Sequence, residues 1–265
     1  MNKNNINDEL NPNVISVSAA TSPARLLGGE TSINNAPYQA ALLMFDEDNF
    51  LCGAVIISET VVATAAHCIL RQSTADMYIV RVGSDLWREG GQVLEVKFLH
   101  LHDNYIGGPN YENDIALLPL TSEIIFDGIT VAPIPLAESG VITEAGVIGL
   151  VSGWGSVRQH DYKQLLYLQI ANMTVVDNGQ CAQMYVEDHA ITEKMLCARV
   201  NPLMSTCGPD SGGPFVVEGV LVGIVAWEKE CGNPLYPAVF TDIASMNGWI
   251  EDGLRTSIVF LSTVN

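Results

Sequence analysis

The sequence is short of basic residues, of charge in general and of long apolar runs, and each shortage excludes a class of function. Lys and Arg number 12 against 30 Asp and Glu, for a formal charge of −18. Such a surface repels phosphate backbones and anionic headgroups, so nucleic acid and membrane are poor partners. Charged residues make up only 16% of the chain and hydrophobic ones 48%, the opposite of a disordered composition. No apolar run approaches the roughly 18 residues needed to span a bilayer. The first 25 residues contain no apolar core of signal-peptide type, and six of the first 13 are Asn. CxxC spacing is also absent. The six cysteines fall as three local couples, Cys52/Cys68, Cys181/Cys197 and Cys207/Cys231, which suit short disulfide-closed loops better than a metal site. That implies an oxidising compartment and a secreted protein.

What the sequence does contain is strand after strand. Its 265 residues suffice for one large all-β domain or two small barrels. The runs AALLM, AVIIS, MYIVRVG, VLEVKFLHL, DIALLPL, GVIGLVSGWG, LLYLQI, PFVVEGVLVGIVAW and AVFTDI are short and rich in Val, Ile and Leu, and turn clusters such as EGG, GGPN, ESG and CGNP separate them. A helical period is missing until Asp242, where IASMNGWIEDGL offers a capping residue and apolar positions at helical spacing. This predicts a short terminal helix over about 242–255, followed by a tail at 257–265. The prolines and glycine of APIPLAESG, 132–140, mark a boundary between two halves.

The chemistry centres on Ser211, whose hydroxyl lies among glycines and an acid in CGPDSGGPF. A serine becomes a nucleophile only with a base in reach, an orienting group behind that base and donors for the developing oxyanion. His67 in VVATAAHC and Asp114 in ENDIALL, each at the edge of a strand-like run, are the candidate base and orienting acid. A lone HC or DS dipeptide carries no information, but TAAHC, NDIALL and DSGGP occur together and in this order. With LLGGE from Leu26, APYQAALL, LCGAVIIS, SGWG, AWEKEC and YPAVFTDI they cover about residues 26–256, and over that span the chain resembles the chymotrypsin/trypsin family of serine proteases.

The resemblance implies two packed six-stranded antiparallel Greek-key β-barrels, about 26–135 and 136–242, with the short helix after them. It implies an endopeptidase in which Ser211 attacks the scissile carbonyl, His67 shuttles the proton and Asp114 fixes the imidazole tautomer. It implies a zymogen: residues 1–25 form a propeptide, cleavage falls between Arg25 and Leu26, and Asp210 pairs with the new N-terminal ammonium. Because Lys3 and Arg25 are offset by Asp8 and Glu9, that cleavage leaves the formal charge at −18. The disulfides it implies are Cys52–Cys68, Cys181–Cys197 and Cys207–Cys231. Expected partners are peptide and protein substrates, an activating protease and protein inhibitors, on a monomer with no cofactor and no metal.

The departures from the family pattern bear on specificity and rate. Ser205 stands at the pocket base where trypsins carry Asp, so a basic substrate side chain loses its usual partner. Glu228, after Ala226 and Trp227, and Ala238 replace glycines of the pocket wall. Glu228 either narrows the pocket for apolar side chains or turns inward to pair with Lys or Arg; the first reading, a chymotrypsin- or elastase-like preference, is favoured because a glutamate at such a rim reaches water. Ala226 also replaces the serine that normally bonds the triad acid. Pro209 replaces the oxyanion-hole glycine, which would share that role with the Ser211 amide, and proline has no N–H to give. A slow enzyme is expected, or a homologue that binds without turnover. His100 and His102 share a strand face with no third ligand evident, and the Gly83–Glu95 segment is short, so neither predicts a metal. Asn172 begins the one N-glycosylation sequon.

Overall fold

The computed structural model describes residues 29–45, 49–107, 111–155, 164–200, 211–229 and 235–262. The first part of the chain supplies β1 (Gly29–Glu30), β2 (Gln39–Met44), β3 (Phe50–Ile56), β4 (Val61–Thr64), β5 (Tyr78–Val82), β6 (Gln92–Glu95), β7 (His100–Leu101) and β8 (Ala116–Pro119). β2 to β8 form an antiparallel sheet in the order β6-β5-β2-β3-β4-β8-β7. Among the described residues its ladder does not close; an isolated bridge between Val96 and Leu120 joins the chain just after β6 to the chain just after β8. The second part supplies β9 (Ile148–Gly153), β10 (Gln169–Val176), α1 (Asn178–Met184), β11 (Met195–Val200), β12 (Pro214–Val217), β13 (Val220–Trp227), β14 (Ala238–Asp242) and α2 (Ile243–Ser262). Here β10-β11-β14-β13-β12-β9 closes on itself through the β9–β10 pairing. The expected all-β class holds, as one closed six-stranded barrel and one half-barrel.

Period-2 burial appears where a strand has one wet face. In β5, Tyr78, Val80 and Val82 are buried while Ile79 and Arg81 are half-exposed. By contrast β4, β8 and β12 are buried along their whole length, because both faces are covered. Each fully buried Leu, Ile or Phe contributes roughly 1.5–3 kcal/mol, so this shared core is the main source of stability. Phe215 and Phe240 stack inside the closed barrel with centroids 4.8 Å apart. Gly149 lets this happen, since a Cβ there would lie 2.6 Å from the Phe215 ring. Between the sheets, the fully buried Gln39 accepts a 2.7 Å hydrogen bond from Ser152, so its side-chain oxygen is satisfied.

The segment 132–140 passes from one sheet to the other. Ile134 donates its amide to Ile56 of the first sheet and Ala137 donates to Leu221 of the second. The ends of the described chain cross back. β1 pairs with β10 of the closed barrel, not with the first sheet as the boundary at residue 26 would have it. α2 begins on the second sheet, where Asp242 caps it by accepting the Ser245 amide at 3.0 Å. It then runs over the first sheet: Trp249 lies 4.9 Å from the rings of both His100 and His102, and Gly253 meets Leu117 so closely that a Cβ would be 2.5 Å away. The helix continues to Ser262, so it takes in most of the expected tail. Buried Ser257, one turn beyond Gly253, bonds back to the Gly253 carbonyl. No helix among the described residues is long and apolar enough to cross a membrane. The disulfides Cys52–Cys68 and Cys181–Cys197 are formed; Cys207 and Cys231 lie outside the described residues.

Candidate active site

β4 ends at Thr64 and the chain enters a short 3-10 turn, Ala66–Cys68. The Cys68 disulfide to Cys52 on β3 pins that turn to the sheet, and His67 is held between. Asp114 sits just before β8, fully buried. Its two oxygens address one residue: Oδ1 accepts the His67 backbone N–H at 2.8 Å and Oδ2 lies 2.6 Å from His67 Nδ1. An ionised carboxylate is acceptor-only, so this contact assigns the proton to Nδ1 and leaves Nε2 as the basic nitrogen. The imidazole is 24% exposed and the acid not at all; water reaches the ring and not the carboxylate behind it.

Ser211 arrives from the other sheet, on the turn before β12. Its carbonyl accepts the Gly53 amide at 2.8 Å, and the next amide, Gly212, donates to Val225 at 2.8 Å. Gly212 has φ +81, and a Cβ there would meet Thr64 Oγ1 at 2.2 Å and the Gly53 carbonyl oxygen at 2.4 Å. Only glycine fits this position.

His67 and Ser211 line one cavity of about 290 Å³, together with four residues expected of the specificity pocket, Ala226, Trp227, Glu228 and Ala238. Ala226 is buried and brings no hydroxyl. Tyr111 completes the wall, stacked on Trp227 and edge-on to His67 at 6.2 Å each. Sequence reasoning passed over Tyr111, which stands in a loop, in the left-handed region at φ 42, and carries no periodic signal. Behind it, His189 meets Trp227 edge-on at 5.2 Å. The nearby Tyr185 phenol has its pKa pushed up, by burial first and by the Glu228 carboxylate among its neighbours; Glu228 itself lines the cavity. Pro209, Asp210, Ser205, Arg25 and Leu26 lie outside the described residues.

Among the described residues the one cluster of metal-ligating side chains is Cys52, His67 and Cys68. Its two sulfurs are bonded to each other, which removes them as ligands. His100 and His102 do share a face, as their spacing requires, but both rings are packed against Trp249. Asn172, of the sequon, pairs with Leu150 in the β9–β10 ladder.

The arrangement has relatives. The family model for trypsin matches residues 27–250. Trypsin epsilon of Drosophila erecta is 35% identical over 233 residues, 87% of this chain and 88% of the relative. The vitellin-degrading protease of Bombyx mori is 33% identical over 244 residues, covering 89% and 90%. Among solved structures, neuropsin, a serine protease expressed in the limbic system of mouse brain, superposes with a TM-score of 0.77 at 30% identity, over 86% of this chain and 98% of that one. A buried acid on a histidine, a serine on a glycine-locked turn across the same cavity, and a match along nearly the whole chain lead to one assignment: this chain belongs to the trypsin family of serine proteases.

Proposed function

We propose that the chain is a secreted serine endopeptidase, made as a zymogen and acting through an acyl-enzyme with Ser211, His67 and Asp114. The observation that carries this reading is the 2.6 Å contact between His67 Nδ1 and buried Asp114 on a ring that lines the same cavity as Ser211. With Nδ1–H committed to the carboxylate, Nε2 takes the Ser211 hydroxyl proton as Oγ attacks the substrate carbonyl carbon. Asp114 steadies the imidazolium, which then delivers that proton to the leaving amine as the C–N bond breaks. Water repeats the cycle on the ester, and the acid product and free Ser211 are released.

Cleavage after Arg25 is the proposed switch, with the Leu26 ammonium neutralising Asp210. Substrates are peptides and proteins, with an apolar side chain favoured before the scissile bond; the support for this is Ser205 in the sequence and a cavity walled mainly by Tyr111, Trp227, Val225 and two alanines, with Glu228 its one acidic residue. The activating protease and protein inhibitors are the other proposed partners. The test is an active-site phosphonylating reagent applied to intact and Arg25-cleaved protein. Stoichiometric labelling of Ser211 after cleavage, and little before it, is expected. Equal labelling of both forms removes the zymogen reading. No labelling of either favours the second reading, a binding or regulatory homologue, to which Pro209 points because it deprives the oxyanion hole of a donor.

A further inference from the structure

The segment carrying Asp114 is held from the opposite sheet. Lys194, on the approach to β11, donates from Nζ to Asn113 Oδ1 at 2.8 Å. Its own carbonyl accepts the Asp242 amide at 3.0 Å, which sets it beside Thr241, whose hydroxyl donates to the Asp114 carbonyl at 2.8 Å. Asn113 is buried and left-handed, at φ 59, and its carbonyl accepts the Ile115 amide at 2.8 Å across a tight turn. Asn113 Nδ2 donates to the Asn104 carbonyl at 3.3 Å. Asparagine tolerates the left-handed region better than other non-glycine residues, and here the contacts on both ends of its side chain hold it there.

The partner of Lys194 is what sets it apart. In a chain with 30 acidic residues, the ion pairs of the described residues do not include Lys194. Its ammonium is committed, half-buried, to a neutral amide oxygen. Surface lysines otherwise keep their rotamer freedom and remain in water, and a lysine held this way surrenders the first and part of the second. His102 feels the same ammonium, since its pKa is lowered by burial first and by Lys194 next.

We infer that Lys194 is a positioning residue for the proposed reaction. By fixing the Asn113 side chain it fixes the left-handed turn that sets the Asp114 carboxylate on His67, and it touches neither substrate nor reacting atoms. Ala226 offers that carboxylate no hydroxyl, so from the second sheet the described tethers on this turn are Thr241 on the backbone and Lys194 on the side chain. The inference rests on the hydrolytic reading of His67, Asp114 and Ser211.

The test compares Lys194→Met, Lys194→Arg, Asn113→Gly and the Lys194→Met/Asn113→Gly pair in Arg25-cleaved protein. Glycine keeps the left-handed turn while removing the acceptor. Misplacing a catalytic group slightly is expensive, so Lys194→Met should lower kcat about tenfold with KM within about twofold, and should let the His67 Nδ1 proton, followed by NMR, exchange with solvent at least about threefold faster. Lys194→Arg restores both, and Lys194→Met adds nothing in the Asn113→Gly background. Unchanged kcat and proton exchange in Lys194→Met overturn the inference, as does a loss that follows the thermal midpoint and that Lys194→Arg does not rescue. A wild type that never labels at Ser211 removes the hydrolytic reading alone, because the Nδ1 proton still decides the role of Lys194.

Discussion

The amide of Gly53 donates to the carbonyl of Ser211 at 2.8 Å, across the junction between the two sheets. The carbonyl of the same Gly53 accepts the Thr64 hydroxyl, also at 2.8 Å. One residue of β3 therefore ties the turn that presents Ser211 to the strand that ends just before His67. The turn of Ser211 and the strand before His67 are thus tied through one backbone amide and one short hydroxyl, not through long flexible side chains.

Gly212→Ala tests this junction. The new methyl would lie 2.2 Å from Thr64 Oγ1 and 2.4 Å from the Gly53 carbonyl oxygen, on a backbone at φ +81. The turn must move away from β3 and β4. A loss of at least about 2 kcal/mol by urea unfolding and a fall in turnover of about 100-fold or more are expected. A wild-type midpoint and rate would mean that the junction yields freely.

Asp242, the α2 cap, makes stability depend on pH. Burial raises its pKa from 3.8 to about 6, so between these values the folded state holds a proton that the unfolded state has released. Stability from this group is complete below pH 3.8 and is lost as pH rises through about 6. The full shift corresponds to about 3 kcal/mol, and partial exposure of the side chain reduces it. Asp242→Asn keeps an acceptor for Ser245 and should flatten the urea midpoint between pH 4 and pH 7. Parallel pH curves for the two proteins would assign the dependence elsewhere.

Pro209→Gly should speed the activated enzyme by at least about tenfold in kcat with little change in KM, since removing one oxyanion donor typically costs on the order of 100- to 1,000-fold and restoring it acts on the transition state alone. Steady-state kinetics on one peptide ester and one amide measure it. An unchanged rate would mean that the oxyanion is held by other donors.

Substrate preference separates Ser205 from Glu228. A peptide library should show cleavage after apolar residues, and Ser205→Asp should move the preference toward Arg by about tenfold or more, as the new carboxylate pairs with a basic substrate side chain. Dominant cleavage after Lys or Arg by the wild type would instead make Glu228 the charge partner.

Much of this architecture was legible in the sequence, and the parts that were not share a physical cause. The strands flanking His67, Asp114 and Ser211 announced themselves through motif and apolar runs. β11 did not: Met195–Ala198 is buried on both faces, between the barrel interior and the disulfide to α1, so it shows no alternation. α1 is a seven-residue helix fixed by its Asp177 cap and Cys181, too short to display a period. α2 outran its expected end because Gly253, Thr256 and Ser257 are weak helix formers that packing on the first sheet overrides. Tyr111 and Lys194 are the instructive omissions. Each acts at the site from a loop or strand approach, through a contact that only the folded chain creates.

The crossing of the chain ends has a consequence for synthesis. β1 belongs to the second barrel, and α2 closes over β7 and β8 of the first sheet. A ribosome releases the first half long before either partner exists, leaving the apolar side of His100, Leu117 and their neighbours open to water. Such distant pairings delay folding until their loop-closure entropy can be met. The nascent half is thus an incomplete vessel, and reaching a complete fold is coupled to completing the chain.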